Sequence, residues 1–367
     1  MRIFLSLVVV IFSSQAFSES IKYGFTPEQE QWMLEQNQQT YVSRVVEAPV
    51  FDPTNPLTFD LLSETTVRPY AEYESAGYLI FSSTFDFKSL KAKETMAKNL
   101  PKDTTLVVFT HSNQESHINN IKFHFGQFLE KERLKVIYLP GAQKGFWARD
   151  GVPVPVWRSG EYGQQIFTVV DAAYYHHFEA DKEFSQHFNA EMTKHDYYYE
   201  GGNFIANAQN ECLIVNKQAT SIIPDSIFKD HYGCEKLIRL PHIKGIGHAD
   251  ESVKFVDDNT VLTDAKQYKP ILEQAGYSVK MLPRPKNQYE TYVNSLLING
   301  VIYVPIFGQK TDKKALEVYE SFGFDKVIGI NSSTLSNTGA GSLHCITMTY
   351  PKVGFDEVIS QLGASEL

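Results

Sequence analysis

With 367 residues, 43% of them hydrophobic and 13% aromatic, the chain can fill one large core or two ordinary ones, which excludes a disordered protein. A formal net charge of −9 argues against nucleic acid and anionic membrane as partners and favours a cationic one.

In chain order, Met1 and Arg2 precede an apolar run over residues 3–12 that ends in the small, polar "SSQAFS". This pattern predicts a secretory signal peptide with Ala16 and Ser18 at the −3 and −1 positions, cleaved after Ser18. The run is too short for a membrane helix, which needs ~20 apolar residues. The mature chain is therefore expected to be soluble and secreted or periplasmic. Residues 19–65 read as an arm: Thr26 caps a helix with Pro27 in its first turn, running through "PEQEQWMLEQNQQTYV" and followed by the linker "EAPVFDPTNPLTF". Residues 66–367 change to short strands rich in Ile, Val, Tyr and Phe, interleaved with single helices.

Within that domain one layout recurs: a polar residue, an apolar strand, a turn, a second apolar strand. Asp150 leads "GVPVPVW" and "QQIFTVV", Glu200 leads "GGNFIA" and "CLIVN", His248 and Asp250 lead "ESVKFV" and "VLTD", and Asn294 leads "SLLI" and "VIYVP". Helical segments such as "KPILEQAGY" and "ALEVYESFGF" follow, and "AEYESAGYLIFSS" with the Cys345 region makes about a fifth unit. Units of hairpin plus helix bury their faces against one another around a centre. Asp150, Glu200, His248, Asp250, Asn294 and Cys345 are then expected to converge on one axial pocket.

Three cysteines in an oxidising compartment suggest one pair and one left over. Cys212 and Cys234 are either a disulfide or two small buried side chains; Cys345 is the odd thiol. It follows His344 in a segment opened by Gly339, Ala340 and Gly341, which lets the backbone approach a ligand, so its thiol is expected to be accessible. An isolated cysteine would otherwise read as a core residue. A nucleophilic thiol needs a base or cation beside it, and His248 in "GIGHAD" is the best partner, with Asp250 on the same strand face two residues later. "HAD" by itself also fits a structural histidine or half of a metal site. A zinc site would want further ligands at recognisable spacing, and the adjacent His176 and His177 would diverge on a strand, so no metal is expected. Asp150 lies behind Trp147 in "GFWARDGVP", where a walled pocket competes with an ion pair to Arg149. Glu200 opens a Gly-Gly turn, and Tyr197 to Tyr199 reads as sheet packing. The set holds one thiol, one imidazole and three carboxylates with no evident Lys or Arg. Such a negative pocket suits a guanidinium, whose planar fork is captured bidentately by carboxylates and whose charge lowers the pKa of a nearby thiol.

These motifs resemble the agmatine deiminases and the Porphyromonas-type peptidylarginine deiminases, in the superfamily of guanidine-modifying enzymes. "WARDGVP", "EGGN", "GHADESVKF", "TYVNSLLINGVIYVPIFG" and "GSLHCIT" appear in family order from about Val67 to Pro351. The resemblance implies a five-bladed pseudo-fivefold α/β propeller, the pentein fold, over residues 66–367. It implies that Cys345 attacks the guanidinium carbon and that His248 protonates the leaving ammonia and then activates water against the thiouronium. Asp150 and Asp250 would hold the guanidinium nitrogens, Glu200 would orient His248, Asn294 would shape the pocket and Trp147 would wall it. No cofactor is implied. Because export gives access to proteins, a peptidylarginine substrate and citrulline product are expected ahead of agmatine and N-carbamoylputrescine, the product of the putrescine route. More distant readings are a cysteine amidase or peptidase and an inactive guanidinium-binding module.

Overall fold

The computed structural model describes residues 27–47, 66–139, 145–160, 163–175, 185–186 and 194–367. The expected signal peptide with Ala16 and Ser18, the expected Thr26 cap, the linker and the His176, His177 pair lie outside the described residues.

The described residues are mixed α/β and form five separate sheets. Four begin with the antiparallel hairpins that the sequence pattern predicts. Val154–Ser159 pairs with Gln165–Tyr175, Ile205–Ala206 with Glu211–Asn216, Val253–Phe255 with Thr260–Thr263, and Leu296–Ile298 with Val301–Ile306. The last hairpin turns at Asn299-Gly300, both with positive φ (43° and 78°), the mirror-image turn geometry that follows the right-handed strand twist. Each hairpin adds a parallel strand: Lys194–Tyr198 beside the first, and Lys236–Pro241, Ser278–Met281 and Lys326–Asn331 beside the other three. The crossover to each of these last three lies among the described residues and contains a helix, Asp225–Tyr232, Tyr268–Gln274 or Thr311–Glu320, as a parallel connection requires.

The fifth sheet joins the two ends of the domain. Met348–Pro351, just after Cys345, pairs antiparallel with Ala76–Ser82, which continues in parallel through Thr105–Thr110 to Leu134–Tyr138. Ser365–Glu366 closes the far edge.

Strands that alternate between two buried faces tie neighbouring sheets together. Cys212 and Ile214 pack towards Val156 and Val170 of the preceding sheet, whereas Leu213 and Val215 pack towards Val253 and Phe255 of the next. Leu262 joins Leu297 and Ile302; Leu296 and Tyr303 join Leu79 and Phe81; Tyr78 and Ile80 join Phe167 and Val169 of the first sheet. The shared cores therefore return to where they began.

Outside this circuit the helix Pro27–Glu47, longer than the predicted stretch, lies against Lys194–Tyr198 and Gln218–Ser221. Asn37 is fully buried there; its amide donates to the carbonyls of Tyr198 (3.2 Å) and Ala219 (2.9 Å) and its oxygen accepts from Tyr198 N–H (2.7 Å). Trp32 packs edge-on to Tyr198 with ring centroids 4.9 Å apart. No helix among the described residues is long and apolar enough to cross a membrane.

Cys212 and Cys234 form a disulfide, with Cα atoms 5.7 Å apart and a sequence separation of 22. A closed loop of that length is worth about 3 kcal/mol against the unfolded chain. The Cys212→Ala, Cys234→Ala double variant is expected to lose about that much in urea unfolding with an unchanged far-UV spectrum.

Candidate active site

Each candidate residue sits where a strand begins, held by a short tight segment. Ala148–Gly151 is a single helical turn carrying Asp150, Gly201–Asn203 follows Glu200, and Ala249–Glu251 follows His248. The expected strand face shared by His248 and Asp250 is corrected here: the backbone turns at Ala249–Glu251, and that turn, not strand alternation, brings both side chains inward.

Gly202 marks the centre of the convergence. A Cβ on it would lie 2.5 Å from Asp150 Oδ1, 2.9 Å from His248 Nδ1 and 3.3 Å from Asp250 Oδ2, so three functional side chains close over a backbone that only glycine permits. Gly202 N–H donates to Asp150 Oδ1 at 3.1 Å. His248 Nδ1 lies 3.5 Å from the same oxygen, and its Nε2 lies 2.9 Å from Glu200 Oε2.

Cys345 Sγ is 3.5 Å from Asp250 Oδ2 and accepts from Asn294 Nδ2 at 3.1 Å. The Asn294 oxygen also accepts from the backbone N–H of His344 (3.0 Å) and Cys345 (3.3 Å), which fixes the turn that carries the thiol. The thiol is not accessible as expected: Cys345 is 1% exposed. Gly339 and Gly341 leave room for Trp147 instead, since a Cβ on Gly341 would come within 2.6 Å of its indole. Phe87 stacks on that indole at 5.8 Å, so Trp147 closes the wall beside the cysteine.

The expectation of no Lys or Arg in the set is overturned as well. Buried Lys217 donates to Glu200 Oε2 at 2.6 Å and stands 3.4 Å from His248 Nε2. Behind the cysteine, His344 lies between Asp250 Oδ2 (2.8 Å) and Glu72, and Glu72 also takes Lys254 Nζ at 2.5 Å and faces Arg149 at 3.6 Å. Arg149 thus pairs with Glu72. No pattern around Lys217 announces it, a single lysine closing a strand. Glu72 stands four residues ahead of its strand, as Asp150 does ahead of Val154, and the repeat layout could have revealed it.

Burial and charge divide the carboxylates. Burial raises Asp150 to about 7 and Glu251 to about 8. Burial also opposes ionisation of Glu200, but the His248 and Lys217 charges outweigh it and hold that carboxyl far below its ordinary range. Asp250 is lowered against its burial by the His344 hydrogen bond. Burial pushes His248 down, yet Glu200 and Asp150 raise it to about 9. Burial and then Asp250, Glu251 and Asp150 push the Cys345 thiol well up. Asp150, Glu200 and His248 bring donor atoms within 4.8 Å of one another, a spacing that a metal ion would also use. The cation placed at Glu200 is the ammonium of Lys217.

The profile of the Porphyromonas-type peptidyl-arginine deiminase family matches residues 88–351. The chain belongs to that family. A Latilactobacillus sakei protein provisionally named an agmatine deiminase is 28% identical over 215 residues, 42% of this chain and 58% of its own length. A Marinomonas protein of the same provisional name is 40% identical over 63 residues, 17% of either chain; the chain thus spans well under two thirds of these relatives. Among solved structures, a C. jejuni agmatine deiminase aligns with a TM-score of 0.62 and 20% identity over 79% of this chain and 97% of its own. A Porphyromonas gingivalis protein provisionally described as an arginine deiminase aligns at 0.60 and 21%, over 78% and 98%. These likenesses carry the family's fold onto nearly all of the described domain.

Two substitutions probe the packed centre. Gly202→Ala is expected to lower turnover about 100-fold or more, the usual cost of displacing reacting groups by about 1 Å, while circular dichroism stays native. Asp150→Asn keeps the acceptor for Gly202 N–H but removes a carboxyl that ionises at about 7 folded and near 3.9 unfolded. Such a group weakens the fold as pH rises from about 4 to 7 and by a constant amount above. The variant should match the wild type in urea stability near pH 4 and exceed it by up to about 4 kcal/mol at pH 8, while losing turnover.

Proposed function

We propose that the protein hydrolyses the guanidinium of an arginine-type substrate to a ureido group and ammonia, with Cys345 as nucleophile. The observation that carries this reading is the thiol's setting. Cys345 is buried among carboxylates that oppose its ionisation, so the empty site holds it as thiol. A guanidinium captured by Asp150 and Asp250 reverses that balance, because its charge favours the thiolate. The substrate then activates its own nucleophile. An amide substrate brings no such cation, which weighs against a peptidase or amidase.

The chemistry follows in two halves. Sγ adds to the guanidinium carbon; the C–N bond breaks as the imidazolium of His248, held charged by Glu200 and Asp150, gives its proton to the leaving ammonia. Neutral His248 then takes a proton from water, whose oxygen attacks the S-linked thiouronium, and the C–S bond breaks to release the ureido product. Guanidinium and water are thereby converted to a urea and ammonium, with the cysteine regenerated.

Three finer readings accompany this one. The five sheets, with cores shared in a closed circuit, support a five-bladed propeller with the site on its axis. The disulfide supports export, since such bonds persist in oxidising compartments, in keeping with the leader sequence. Export and the name of the matched family together favour peptidylarginine as substrate. Agmatine is the second reading, favoured by the names of the relatives.

The mature protein incubated with agmatine, free arginine and arginine peptides is expected to form a ureido product from peptides first, with none from Cys345→Ala. Product from agmatine alone would favour the second reading, and no Cys345-dependent product from any guanidine would reject the proposal. A cationic haloacetamidine is expected to alkylate Cys345 at least ~10-fold faster than the neutral haloacetamide, one pKa unit of thiol activation being tenfold in thiolate.

A further inference from the structure

The N-terminal helix lies outside the span matched by the family, yet it reaches the catalytic charges. Glu30 Oε1 accepts from Lys217 Nζ at 3.1 Å, Lys217 donates to Glu200 Oε2 at 2.6 Å, and that oxygen lies 2.9 Å from His248 Nε2. Lys217 and His248 therefore share a single carboxylate oxygen while standing 3.4 Å apart. Two cations so placed compete for it, and the arrangement holds only if a second anion takes part of the lysine's charge.

Glu30 is that anion, and its placement is built. It lies three and seven residues before Met33 and Asn37, both buried in the dock, so the three share one helix face. Its second oxygen is buried without a partner, so that no other group draws the carboxylate away.

We propose that Glu30 is a positioning residue for the site, holding Lys217 off His248 so that the histidine keeps its pairing with Glu200, and that docking of the N-terminal helix sets this arrangement. The role in turnover rests on the deiminase reading; the electrostatic role does not. Around His248 the other charged groups are Glu200, Lys217, Asp150, Asp250 and Glu251, and all of them belong to the domain itself. With Glu30 neutralised, Lys217 is drawn more strongly to Glu200, and the imidazolium loses both an anion and part of its partner. Both changes favour neutral His248, so protonation is lost at a lower pH.

The test is Glu30→Gln in the full chain. Its alkaline limb of kcat/KM is expected to move to lower pH by about half a unit or more, with kcat falling several-fold and KM nearly unchanged. Glu30→Asp, which keeps the charge, should restore most of the shift. NMR titration of the His248 imidazole, assigned with His248→Gln, should move the same way in Glu30→Gln. An unmoved limb and an unmoved imidazole titration, with only a lower Tm, would leave Glu30 as a docking contact and overturn the proposal. If the wild type forms no product from any guanidine, the deiminase reading fails, and the imidazole titration alone decides the role of Glu30.

Discussion

The structure depends on compensating acidic side chains gathered around one thiol. Asp150, Glu200, Asp250 and Glu251 lie close enough to influence one another, and Glu72 lies behind them, buried against His344, Lys254 and Arg149. Left unpaired, such a group would neutralise itself or unfold the site. Two of the acids, Glu200 and Glu72, receive lysines, Lys217 and Lys254, and Asp250 receives His344. Asp150 and Glu251 are left short of positive charge and retain their protons to higher pH. The unfilled demand for a cation is located at the cysteine, where a guanidinium would supply it.

That division explains why the site is both closed and reactive. The paired acids hold His248 and the Cys345 turn in place, whereas Asp150 and Glu251 are only partly compensated and would gain from a cation bound between them and the thiol. Gly202 lets the side chains meet, and Trp147, accommodated by Gly339 and Gly341, seals the side next to the sulfur. Rigidity comes from outside this shell. The strands that follow Asp250, Asn294 and Cys345 are buried on both faces, and the Asn299 side chain further ties its turn to Ala76 of the neighbouring sheet through two hydrogen bonds, 2.8 and 2.7 Å long.

The four hairpins were legible because strand alternation and short polar turns leave strong local marks, and the residue ahead of each hairpin was legible from the repeat. The third strands were harder to see. "KLIRLP" and "SVKM" mix charge with apolar residues because they are only partly buried, and their pairing is set by a helical crossover, not by local pattern. Lys217 could not be read at all, since its role comes from carboxylates 17 and 187 residues away. The glycines before Cys345 misled for a physical reason: a residue without a side chain admits a ligand or a neighbouring ring equally well, and sequence does not distinguish them. The cysteine pair was open in the sequence because Cα separation is a property of the fold.

The fifth sheet has a consequence for how the protein comes into being. Its first strand in space, Met348–Pro351, is synthesised long after its partner Ala76–Ser82. Cys345 lies immediately before the late strand. The middle sheets are each built from neighbouring stretches of chain, but the circuit of shared cores stays open, and Cys345 stays apart from Asp250 and Asn294, until this late stretch is in place. One stretch of chain thus carries both the candidate thiol and the strand that joins the two ends of the domain, so whatever frees that strand also displaces the thiol.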